Sequence, residues 1–320
     1  MRPRQSILLI KKDEGIIMER KNVKKAVVKS DGMGIVVATG REMIEGGIGV
    51  EAVKRIGKNP QLKGVVHEIM KKEAYNSNPK HLFDGTKAVL SKSTTAVRDD
   101  ILIKKGAKIV GRMQLKDTSK SIPQTIKQVK SGHYSGTQLM GTNETVAAYE
   151  KAVKAAAKKG TQITQKMKST GISSSDTSRI ATKTIGTTAG KISAGAVGKV
   201  AASSGAVGAA ISGGMEVCLS GMKLKKGEIT GKEFAGNVAR ETVGGGLSAA
   251  GGSAAATLAA TGVATALATT AAPVWIPAAV GVGAAIVVGG AIKGVWDFGC
   301  KKVEKSKKNR KNKALKKYCY

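Results

Sequence analysis

Between Glu241 and Lys293 the chain carries no Asp, Glu, Lys, Arg or His, although 24% of its residues are charged. A segment of that length with no ionisable side chain offers water no polar face. It folds only where something apolar covers it, whether a protein interior or a lipid bilayer. Pro273-Val274-Trp275-Ile276-Pro277 interrupts the segment, because proline ends or kinks a helix. The pattern predicts two helices, at residues 244–272 and 278–298, each long enough to cross a bilayer. Trp275 and Trp296 are then expected near opposite interfaces. The halves differ in character: Ala278 to Ile292 is rich in Val and Ile, whereas Gly244 to Thr270 is mostly Ala, Gly, Ser and Thr. Small residues recur at four-residue spacing in Gly281-Ala285-Gly289 and Gly290-Gly294, and upstream at Gly186-Gly190, Gly195, Gly198, Gly205 and Gly208. That spacing lets helix backbones approach closely, as helix pairs in lipid do, and self-association through such faces is expected. The competing expectation is a buried hairpin inside a soluble helical domain.

Charge narrows the partners. Lys and Arg number 54 against 22 Asp and Glu, a formal net charge of +32. Such a field attracts polyanions, meaning nucleic acid or an anionic membrane surface, without choosing between them. With 3% aromatic residues, a base-stacking platform for single strands is disfavoured. Ten basic side chains lie between Lys301 and Lys317. Such a cluster is expected to stay on the cytoplasmic face and to attract anionic lipid. Two spans would leave the N-terminal part on that same face. Cys218, Cys300 and Cys319 have neither metal-ligand spacing nor a paired framework, which fits a reducing compartment. Lys11, Lys12 and Asp13 close the apolar run Ile7–Ile10, so no secretory signal peptide is expected.

Composition divides the rest. Residues 1–60 read as an α/β segment with strand-like Lys25-Ala26-Val27-Val28 and Ile35-Val36-Val37. The glycines of Asp31-Gly32-Met33-Gly34 lack a dinucleotide-loop spacing and read as turns. Residues 61–168 read as a compact α/β unit, and 169–185, rich in Ser and Thr, as a linker. A Gly/Ala-rich helical segment at 186–241, the hydrophobic hairpin at 242–299 and a basic tail at 300–320 follow. Within the α/β unit, apolar spacing predicts a helix over Leu62–Ala74 and strands at Lys87–Leu90, Asp100–Ile103 and Lys108–Leu115. A helix over Ser121–Lys130, a strand at Thr137–Met140 and a helix over Ala147–Lys159 complete it.

Two hairpin strands then bring Asp100 near Gln114-Leu115-Lys116. The order helix, three strands, helix, strand, helix, together with these strand-end residues, resembles the restriction-endonuclease-like PD-(D/E)xK superfamily. The resemblance covers roughly residues 61–160 and implies an αβββαβ core that processes nucleic acid with Mg²⁺. Transferred by position, Asp100, Gln114 and Glu68 would hold the ion, and Lys116 would orient water or neutralise charge growing on phosphorus. Gln114 departs from the usual acid, offering a carbonyl oxygen without a charge. A plainer expectation stands beside this one, in which Arg112, Gln114 and Lys116 are only the polar face of a half-buried strand. His67 and His133 read as structural, while Gln124 and Gln128 read as an exposed helix face able to meet phosphate.

The Gly/Ala-rich stretches resemble glycine-zipper hairpins of bacterial membrane-active proteins. The whole arrangement resembles bacterial, particularly clostridial, proteins in which runs like Thr95–Asp100 and Gln114–Thr118 precede a membrane-like end. The implied location is bacterial cytoplasm or the cytoplasmic face of the inner membrane. Two functions follow: a nuclease-like, DNA-interacting domain tethered to a membrane by a glycine-zipper hairpin, or a catalytically inactive membrane-active or scaffolding protein whose charge binds anionic lipid.

Overall fold

The computed structural model describes residues 33–92, 99–118, 120–186, 192–270 and 272–317. A mixed five-stranded sheet occupies the N-terminal half, and long helices make up the remainder.

The α/β half begins with α1 (Met33–Ile56), α2 (Leu62–Asn76) and the short α3 (Pro79–Asp84). Three antiparallel strands follow: β1 (Thr86–Leu90), β2 (Ile101–Lys105) and β3 (Lys108–Lys116). Helix α4 (Ile122–Lys130) leads into β4 (Gln138–Gly141), which lies parallel to β3. Helix α5 (Asn143–Lys158) then leads to the two-residue β5 (Lys168–Ser169) and to α6 (Ser174–Ile185). From α2 to α5 the elements run helix, three strands, helix, strand, helix, with α3 as an addition.

Local chemistry sets these boundaries. Gly106, at φ 58°, makes the β2–β3 turn in a conformation that a side chain disfavours. The Thr142 hydroxyl caps α5 by accepting from the Thr145 amide. Alternation along the strands sorts side chains to the two faces of the sheet. Met113, Leu115 and Met140 pack with Ala88, Ile101 and Ile103, and Tyr75 of α2 covers them. Leu139, on the opposite face, packs with Ile122, Tyr134, Tyr149 and Met167.

The helical half contains α7 (Ala194–Lys225), α8 (Gly231–Ala266) and α9 (Ile276–Lys317). Helix α8 is central, with antiparallel α7 and α9 against it and α1 alongside. Glycine makes the approach possible: a Cβ on Gly208 would lie 2.7 Å from the Gly245 carbonyl oxygen, and one on Gly34 would lie 2.3 Å from that same atom. The Ser248 hydroxyl donates to the Gly289 carbonyl at 2.8 Å, tying α8 to α9.

Four expectations are corrected. Ile35-Val36-Val37 is helical, not a strand, because α1 turns Gly34, Ala38, Glu42 and Glu45 inward and that burial outweighs β-branched propensity. Lys25–Val28 lies outside the described residues. The supposed linker contains α6, whose hydroxyls bond back along the helix. Ser178 donates to the Ser174 carbonyl and Thr182 to the Ser178 carbonyl, each at 2.8 Å. Among the described residues three helices, not two, are long and apolar enough to cross a membrane. Much of the supposed basic tail continues α9, which runs without a break to Lys317.

Candidate functional site

Asp100 sits one residue before β2, where β2 and β3 fork. Its backbone remains paired, the amide donating to the Met113 carbonyl at 2.9 Å and the carbonyl accepting from Ser91 at 2.8 Å. One carboxylate oxygen, Oδ2, accepts from the Leu115 amide and from Gln114 Nε2, each at 2.7 Å. Because the Gln114 NH₂ faces that acceptor, the orientation of its amide follows. Its carbonyl oxygen Oε1 is then left buried with no hydrogen-bond partner, and the residue is 4% exposed. An unpaired buried carbonyl normally costs about 1–3 kcal/mol, so this atom suits an electropositive ligand.

Glu68 reaches the same place from α2. Burial, reinforced by the charge of Asp100, pushes its carboxyl up to about 8, while Arg55 and Lys116 act in the opposite direction. Burial also raises Asp100, opposed by the Leu115 amide, Lys116 and Gln114. Lys116, two residues beyond Gln114 on the same side of β3, holds its ammonium 5.4 Å from the centre of the Tyr134 ring. The Tyr134 hydroxyl donates to Gln128, which is therefore anchored and not a free helix-face amide.

The structure thus brings Glu68, Asp100, Gln114 and Lys116 into one neighbourhood. Asp99 is separate, occupied by Arg112 and by the Thr137 hydroxyl, the latter at 3.0 Å. Among the described residues no three His, Cys, Asp or Glu side chains gather as metal ligands. The site instead has two carboxylates and one amide carbonyl. An all-oxygen set of this kind fits a hard cation such as Mg²⁺, and the orphaned Gln114 oxygen fits it most directly.

Sequence reasoning missed two contributors. Arg55, at the end of α1, donates to the Ser91 carbonyl beside Asp100. Asp117, next to Lys116, bonds Lys63 at 3.2 Å, Ser174 at 2.6 Å and Thr177, fastening the end of β3 to α2 and α6. His67 is structural. Its Nε2 lies 2.9 Å from the Thr170 hydroxyl, and burial holds the ring down to about 4. His133 packs edge-on against Tyr134.

No family model, curated protein or solved structure matches the chain.

Proposed function

We propose that the α/β half is a Mg²⁺-dependent nuclease of the restriction-endonuclease-like kind, acting on DNA and held at a membrane by the apolar helices. The observation that carries this reading is the buried, unpartnered carbonyl of Gln114, whose amide nitrogen holds Asp100, a carboxylate close enough to Glu68 to raise it. Glu68, Asp100 and Gln114 would hold the cation, which when bound supplies Lewis-acid polarisation of a phosphoryl oxygen. The protein's own groups do the rest. Gln114 Nε2 and the Leu115 amide fix the Asp100 carboxylate. Lys116 offers an ammonium where negative charge grows on the phosphate. The net charge of +32 draws the polyanion to the surface.

The experiment is digestion of plasmid DNA by the full chain in mild detergent, with and without Mg²⁺. Cleavage that requires Mg²⁺ and disappears in Asp100→Ala and Lys116→Ala supports the reading; equal cleavage by both variants and the unaltered chain removes it. A second reading draws on the small number of carboxylates. With two acids in place of three, the α/β half would be an inactive scaffold and the basic charge would serve anionic lipid. Complete absence of cleavage, with retained binding to anionic vesicles, favours that alternative.

A further inference from the structure

The bundle carries charged residues in two layers, with an uncharged slab between them. On one side, Glu42 and Glu45 of α1 pair with Arg179 and Lys183 of α6, and Arg41 joins through Glu45 at 2.9 Å. Ala260 of α8 and Ala278 of α9 border this cluster. On the other side, Lys293 of α9 meets Glu241 of α8 at 3.1 Å and Asp297 at 2.8 Å, while Arg240 meets Asp297 at 3.2 Å. Along α8, Glu241 to Ala260 spans about 29 Å at 1.5 Å per residue. Along α7, Lys199 to Glu216 spans about 26 Å with no charged residue between them, and Arg41 of the first layer reaches just inside that stretch, to Ser203 at 2.7 Å and Ser204 at 3.1 Å. Both lengths match the roughly 30 Å hydrocarbon core of a bilayer.

The flanks of the slab suit lipid. Val36, Val207, Ile211, Leu247, Ile286 and Val287 are exposed there, Val287 by 70%. Trp275 lies at the α6 side of the slab and Trp296 at the other, where its indole donates to the Arg240 carbonyl at 3.1 Å. Aromatic side chains of this kind favour the two membrane–water interfaces.

The chain direction then fixes sidedness. The α/β half joins the bundle at the Glu42–Lys183 layer, since α6 packs there and Lys58 reaches the Thr270 carbonyl at 2.7 Å. Helix α7 leaves that side, α8 returns to it, and α9 leaves it again. The basic end of α9, including Lys301, Lys302, Lys305, Lys307 and Lys308, emerges beyond the Glu241–Lys293 layer.

We propose that the two ion-pair layers mark the two faces of a bilayer around α7, α8 and α9, with the α/β half and the basic end of α9 on opposite faces and the basic end in the cytoplasm. The cytoplasmic assignment follows from lysine retention near membrane spans, a rule that large domains escape. This inference rests on the membrane part of the function proposed above and is independent of the nuclease part.

The test uses the full chain with Cys218, Cys300 and Cys319 replaced by Ala, carrying either Lys154→Cys on α5 or Lys305→Cys on α9. Both positions are exposed, so neither change disturbs packing. Bacterial membrane vesicles of each orientation are labelled with an impermeant maleimide. Expected is labelling of Lys154→Cys in right-side-out vesicles and of Lys305→Cys in inside-out vesicles. Labelling of both positions in the same vesicles, or the reverse pattern, overturns the proposal. Complete release by alkaline carbonate overturns it together with membrane anchoring, whereas Mg²⁺-dependent cleavage reports on the nuclease reading alone.

Discussion

Glu45 and Arg179 form a buried pair, yet their removal should have unequal effects. Arg179 is 1% exposed, and its guanidinium meets Glu45 through two nitrogens, one of them 2.6 Å away. Its other acidic contact is Asp176 at 3.5 Å, a side chain one-third exposed to solvent. Glu45 has more support, because Lys183 lies 2.8 Å away and Arg41 2.9 Å away. Glu45→Gln therefore strands a buried guanidinium, at a cost of about 3–5 kcal/mol. Arg179→Met leaves the carboxylate with two cations and fills similar volume, and should cost about 1–2 kcal/mol. The double variant should be less destabilised than Glu45→Gln alone, since no buried charge is then unpaired. Denaturant unfolding in mild detergent measures this as midpoint shifts at constant slope. Equal costs for the two single variants, or additive costs in the double, would mean that Glu45 is not the charge that compensates Arg179.

Gln114→Glu should have opposite effects with and without metal. It replaces the donor to Asp100 with a second carboxylate, lowering metal-free stability by about 1–3 kcal/mol, while the added charge tightens Mn²⁺ binding at least about tenfold by calorimetry; weaker binding would place the cation elsewhere. His67, held down to about 4 against an ordinary 6.5, binds its proton less readily folded than unfolded. Its stabilising effect is full above 6.5 and is lost as pH falls towards 4, at most about 3 kcal/mol. His67→Gln should flatten that acid slope in midpoint-against-pH measurements, and an unchanged slope would assign the titration to another group. Gly208→Ala should destabilise by about 1–3 kcal/mol, because its Cβ would lie 2.5 Å from the Ala249 methyl and 2.7 Å from the Gly245 carbonyl. Gly214→Ala, with nothing within 4 Å, should stabilise α7 by up to about 1 kcal/mol, so thermal shifts of the same sign would contradict the packing described.

The parts of the fold legible in the sequence are those whose periodicity is decided locally. Helix α2 shows apolar spacing through Val65, Val66 and Ile69, all buried, and β3 turns Met113 and Leu115 to one face, although Gln114 between them is buried as well and Ile109 is exposed. The glycine turn shows that β2 and β3 pair, but Asp100 and Gln114 come to the same face through a one-residue register shift between Ile103 and Lys104, a bulge that the sequence does not mark. Helix α6 was hidden because Ser and Thr usually signal loops. Here their hydroxyls find carbonyls within the helix, and Arg179 finds its acid 134 residues away, a separation no local window contains. Arg55 was hidden for the same reason: it belongs to a segment that reads as separate from the α/β unit.

That separation does not exist in three dimensions. Ile48 and Ala52 of α1 share one core with Leu62, Val65, Val66 and Ile69 of α2 and with Ile180, Ala181 and Ile185 of α6. A fragment cut at residue 61 would expose this apolar face and lose Arg55 from the neighbourhood of Glu68. The same helix, further towards its N-terminus, places Ala38 against Ala256 and Ala285 of the bundle. At 24 residues α1 is about 36 Å long, and it is continuous from the apolar slab to the carboxylates. The position of Arg55 is consequently set by how α1 sits on α8 and α9. Chemistry at the β2–β3 fork should therefore be assayed on the full chain, in an environment that keeps the bundle intact.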